Sequence, residues 1–130
     1  MNVPQGTTPE SLGYFIRSRA YPGLGSDSQS HSDAATRVAR ASIAYWRENL
    51  PWISGGYGGS QDKLKRDIRY GIARQAGVPG FAFVVPAWLL PIALQVLVAL
   101  IEQAMLLLAS WASENDVEGR LWMRAASTED

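Results

Sequence analysis

The chain has 130 residues, about one domain's worth, with 12 Lys+Arg against 12 Asp+Glu, one His and no Cys. Lack of cysteine excludes a disulfide scaffold, an iron–sulfur cluster, a thiolate zinc site and a cysteine nucleophile. The balanced formal charge gives no bulk pull toward nucleic acid or anionic lipid, but the layout is uneven. Residues 1–80 hold ten basic and six acidic residues, a net of +4, whereas residues 81–130 hold two basic and six acidic, a net of −4. Between Arg74 and Glu102 lie 27 consecutive residues without a formal charge, so the mean hydropathy of −0.07 averages a polar half with a very apolar segment.

The first 20 residues show no basic stretch followed by an apolar run, so any membrane insertion is expected to use the internal apolar segment as its signal. Thr8-Pro9-Glu10 reads as an N-cap, a first-turn proline and a first-turn acid, predicting a helix over 9–20 with Leu12, Phe15 and Ile16 on one side. Pro22 to Ser30 is loop by composition, and His31 follows in the same Ser-rich context, where a solvated imidazole is expected. Asp33 is the expected cap of a second helix over 33–49, ended by Pro51. The Gly-rich run Gly55–Ser60 lacks both the lysine ending of a phosphate loop and a preceding strand, and reads as a joint. Ser60 then caps a third helix over 61–76, with Leu64, Ile68, Ile72 and Ala76 in one stripe and Gly77 with Pro79 as the stop.

The last large element is an apolar helix over about 87–113, followed by an acidic tail with a short helix near Val117–Arg124. Pro91–Trp111 alone provides the ~20 residues that a bilayer core requires, with Val78–Leu90 at the interface or re-entering; the uncharged Phe81–Ile101 is a second register, which puts Pro86 and Pro91 inside the span and Glu102 at the interface. Trp88 and Trp111 are expected as interface anchors, and the charge asymmetry places the N-terminus in the cytoplasm and the C-terminus outside. Glu102 near the middle of the span costs about 2.5–3.5 kcal/mol unless sheltered. On a helical projection Gln95, Ala99, Glu102, Gln103, Ala109, Ser110 and Ser113 share one arc of about 120°, interrupted only by Leu106, which predicts a helix–helix contact there.

The expected organisation is therefore all-α: a basic, aromatic-containing helical region over 1–77, a membrane-spanning segment over 78–113 and an acidic tail over 114–130. Arg37, Arg40, Arg47, Lys63, Lys65, Arg66, Arg69 and Arg74 are the candidate contacts to lipid headgroups or another anionic partner, with nucleic-acid phosphate the less favoured choice. No catalytic, cofactor or metal constellation is present in the sequence. The expected role is a non-catalytic, membrane-anchored assembly subunit that pairs with itself or with another membrane protein through the polar arc. Two alternatives are a soluble oligomeric scaffold or minor virion component with the apolar helix buried between subunits, and a pore-forming oligomer.

Overall fold

The computed structural model describes residues 6–22, 29–54 and 60–117; the Gly-rich joint over 55–59 and the tail beyond Val117, with its expected short helix, lie outside them. Four helices run Pro9–Ala20 (α1), Gln29–Ser54 (α2), Gln61–Ala76 (α3) and Ile92–Val117 (α4), and among the described residues there is no strand. Two single turns of 3-10 helix, Gly80–Phe83 and Ala87–Leu89, lie in the connection between α3 and α4.

Local chemistry accounts for the start of α1 and both ends of α3. Thr8 Oγ1 accepts from the Ser11 amide at 3.0 Å, and Ser11 Oγ accepts from the Thr8 amide at 2.9 Å, a reciprocal capping box ahead of Pro9. Ser60 Oγ accepts from the Lys63 amide at 3.2 Å. At the other end of α3, Gly77 adopts φ 75° and ψ 29°, a left-handed conformation that favours glycine. The Val78 amide then reaches Ala73 O at 2.8 Å and the Gly77 amide reaches Arg74 O at 3.2 Å, closing a Schellman motif with Val78 buried against it. The Ala76 carbonyl, left over by that motif, accepts from Arg37 Nε at 2.8 Å.

Three expected boundaries are corrected. α2 begins at Gln29, four residues before Asp33, and the Asp33 carboxylate accepts from Gln29 Nε2 at 2.9 Å within the first helical turn. His31 therefore belongs to a helix, half-buried, with its ring edge-on to Tyr21 at 4.8 Å. α2 also continues through Pro51 to Ser54. Proline lacks one amide donor, and here that loss falls in the last turn, where little helix remains to be broken. The apolar helix starts later than 87. Leu90 is extended (φ −90°, ψ 148°), as expected for a residue before proline, and Pro91 O accepts the first helical bond, from Gln95 N at 3.0 Å.

The chain runs up, down, up and down. Arg37 near the start of α2 touches Ala76 at the end of α3, and Trp46 in α2 meets Trp111 in α4 edge-on at 5.3 Å. α1 and α3 thus finish at the end of the bundle where α2 and α4 begin. One core joins Leu12 and Ile16 of α1, Val38 and Trp46 of α2, Leu64, Ile68 and Ile72 of α3, and Leu100, Ile101 and Leu108 of α4. Ser42 is fully buried within it, its hydroxyl donating to Val38 O at 2.7 Å. Gly71 leaves room for the Tyr45 ring: a Cβ there would stand 1.9 Å from Tyr45 Cε1.

Candidate interaction surfaces

α4 is the element on which the functional reading turns. Residues Ile92–Ala112 are long and apolar enough to cross a membrane, a test that the core helix of a bundle also passes, and 39% of that window is buried inside the chain. The buried residues are Leu97, Leu100, Ile101, Ala104, Met105, Leu108, Ala109 and Ala112, which at 100° per residue fall on one side. α1, α2 and α3 of the same chain cover that side, a cover that length arithmetic alone assigns to partner subunits.

The predicted polar arc, as far as Ser110, lies on the opposite side, except for Ala109, which is buried against the bundle. Ser110 is exposed and Gln95, Ala99, Glu102 and Gln103 are half-exposed, with the apolar Leu106 exposed among them. The arc is therefore not what packs α4 into its own bundle, and most of it remains on the surface. Gln95 turns back on its helix end, Nε2 donating to Leu90 O at 2.9 Å. Glu102 is bound by α3: Arg69 Nε donates to Oε1 at 2.7 Å and Arg69 Nη2 to Oε2 at 3.2 Å, a two-pronged pair with both side chains partly exposed. One residue of the predicted arc and one of the predicted basic set are thereby brought together, a pairing that separate helical projections do not display.

The other basic residues are scattered. Arg37, Arg40, Arg47, Lys63, Arg66 and Arg74 are exposed, and Lys65 is half-buried on α3. Arg37 and Arg74 lie toward the end where the α3–α4 connection sits, and the last turn of α1 brings Arg17 and Arg19 to that same end. Asp33 is the acid that α2 contributes there.

The connection itself is the most exposed apolar part of the described chain. Phe81 (54%), Val84 (73%), Trp88 (78%), Leu89 (56%) and Ile92 (77%) lie open within twelve residues, while Ala82 and Leu90 are buried and Phe83 rests edge-on against Tyr70 at 5.6 Å. Two 3-10 turns lie in this segment, held by their own backbone bonds, such as Val84 N to Phe81 O at 3.0 Å. The two tryptophans expected to act alike differ: Trp88 is open, whereas Trp111 is half-buried against Trp46.

Beside Ile92 a groove of about 500 Å³ runs between the first turns of α2 and α4. Ala34, Ile92, Ala93, Val96 and Leu97 supply its apolar wall, and Ser30, His31, Asp33 and Arg37 its polar one. Sequence reasoning does not find it, because its walls come from segments some sixty residues apart in the chain. Close to His31, burial pushes the Tyr21 phenol above its ordinary value of 10.0. A second, polar cleft of about 360 Å³ between α2 and α3 includes Glu48, Asp67, Arg74 and Gln75, and is bridged by Gln75 Nε2 donating to Glu48 Oε2 at 2.8 Å. Among the described residues no three His, Asp or Glu side chains converge as a metal site would require. Comparison of the chain with protein-family models, with curated proteins and with solved structures finds no match.

Proposed function

We propose that the protein is a non-catalytic assembly subunit that works at a membrane surface, lying on the bilayer as a folded bundle rather than threading it. The observation that carries this reading is the outward display of Phe81, Val84, Trp88 and Leu89 by a connection that has no charged residue, with Ile92 at the start of α4 beside them. Clustered exposed apolar side chains mark interaction sites, and tryptophan favours the boundary between headgroups and acyl chains. Arg17, Arg19, Arg37 and Arg74 lie toward the same end of the bundle, where each basic residue near an anionic bilayer is worth about 1 kcal/mol. The outward arc of α4, with Ala99, Gln103, Leu106 and Ser110, is then left for a second subunit, its own copy or another protein.

The test is sedimentation of the full chain with phosphatidylcholine vesicles, with and without phosphatidylglycerol. The expected result is binding that needs the anionic lipid, weakens with salt and is released by carbonate. Trp88→Ser with Leu89→Ser removes about 2–4 kcal/mol of apolar transfer and should cut partitioning at least roughly thirtyfold. Unchanged partitioning of that variant, or no binding by the parent chain, overturns the reading.

The rival is a single span through α4, favoured by the length and apolarity of Ile92–Ala112. It requires the Arg69–Glu102 pair to open and the buried face of α4 to exchange α1–α3 for lipid. Resistance to carbonate, with aggregates excluded, is the outcome that selects it.

A further inference from the structure

Docking by the α3–α4 connection leaves the neighbouring groove without a role, and its chemistry is amphipathic in an ordered way. Its apolar wall is Ala34 from α2 with Ile92, Ala93, Val96 and Leu97 from α4. Its polar wall comes only from the beginning of α2, with Arg37 as its cation and Asp33, which accepts from Gln29 Nε2, as its anion. Arg37 spends Nε on the Ala76 carbonyl, which fixes the guanidinium between the end of α3 and the groove while its other N–H groups keep their donor capacity. The volume, about 500 Å³, falls in the range of small-molecule sites.

We propose that this groove takes one acyl chain of an anionic phospholipid drawn from the bilayer on which the bundle docks, with the phosphate meeting Arg37. The occupant follows from three features acting together. An apolar wall without a buried polar group suits a hydrocarbon chain better than a peptide backbone, whose amides would go unsatisfied there. A guanidinium at the polar edge suits a phosphate, which it can bind in two-pronged fashion. Ile92, the exposed first residue of α4, adjoins the connection and lines the groove, so a chain leaving the bilayer beside Trp88 meets apolar surface throughout its path. The inference rests on the docking reading for its source of lipid, but not for the binding chemistry.

The experiment uses the full chain and dihexanoyl phosphatidylglycerol below its critical micelle concentration, followed by amide chemical shifts. Shifts should centre on Ala34, Arg37, Ala93 and Val96, and dihexanoyl phosphatidylcholine should bind more weakly by about threefold or more, the weight of one surface-exposed charge contact. Ala93→Trp places an indole in the groove from an exposed position that the core does not use, and should weaken binding about tenfold or more. Arg37→Gln should abolish the preference for phosphatidylglycerol while tail-dependent binding persists. Trp88→Ser with Leu89→Ser should leave monomeric lipid binding in place. Shifts centred elsewhere, or Ala93→Trp binding like the parent, overturn the groove proposal. If the parent binds vesicles but not the monomeric lipid, the groove fails and docking stands; binding of the monomer without vesicle binding sinks docking and keeps the groove.

Discussion

Replacing Glu102 by leucine separates the bundle from the span through two quantities of different size. In the bundle, Glu102 accepts from Arg69 Nε at 2.7 Å and from Nη2 at 3.2 Å, but the two side chains retain 26% and 36% of their exposure. Water therefore screens the pair, which places it among surface ion pairs worth about 0.2–1 kcal/mol. Glu102→Leu should lower the urea midpoint correspondingly little and reduce Tm by no more than roughly 4 °C. The freed Arg69, already part-exposed, can be hydrated in place. In a span, the same substitution removes a carboxylate from the hydrocarbon and gains about 2.5–3.5 kcal/mol of insertion, roughly a hundredfold in equilibrium. Urea unfolding followed by circular dichroism reads the first quantity, and the carbonate-resistant fraction of expressed protein reads the second. A rise of more than about tenfold in that fraction, with aggregates excluded, refutes the docked bundle. A stability loss well beyond ~1 kcal/mol refutes the treatment of the pair as solvent-screened.

The orientation of α4 can be checked by a contrast of two leucines. Leu100 is fully buried and Leu106 is 45% exposed, so Leu100→Ala should cost about 2–5 kcal/mol in chemical denaturation while Leu106→Ala costs under about 1. Equal costs would mean that α4 does not face its own chain as described. Gly71→Ala sets two effects against each other: a helix-interior glycine normally gains about 1 kcal/mol on becoming alanine, but the new methyl group would meet the Tyr45 ring at 1.9 Å. Tyr45 is only 6% exposed, so a net loss of about 1–3 kcal/mol is expected, turning into a gain when Tyr45 is also made alanine. Stabilisation by Gly71→Ala alone would show that the ring moves aside freely.

Legibility in the sequence follows how local the cause is. α3 was legible at both ends and on its buried face, since Ser60 and Gly77 act within a turn of themselves and Leu64, Ile68, Ile72 and Ala76 all reach the core. α1 was legible for the same reason, through Thr8 and Pro9. α2 was not, because Asp33 and Pro51 are genuine boundary residues whose preferences yield to the rest of a 26-residue helix. The Arg69–Glu102 pair and the groove beside Ile92 arise where helices remote in sequence meet, and one helix's periodicity carries no trace of its neighbour's.

The apolar segment shows why hydropathy does not by itself assign a solvent. Leu97, Leu100, Ile101, Met105 and Leu108 form a stripe that must leave water, and periodicity fixes that stripe without saying whether protein or lipid receives it. Here α1, α2 and α3 receive it, and the polar arc turns to the outside, where Glu102 meets Arg69. The transfer energy of that stripe is already spent on the core. What remains for a bilayer is therefore the apolar surface that the bundle leaves uncovered, and most of it is concentrated in the connection from Phe81 to Ile92. A protein that threaded the membrane by α4 would have to give up the first to gain lipid contact, whereas one that docks by the connection keeps both. That difference in cost, rather than the apolarity of α4, favours the surface-docked bundle.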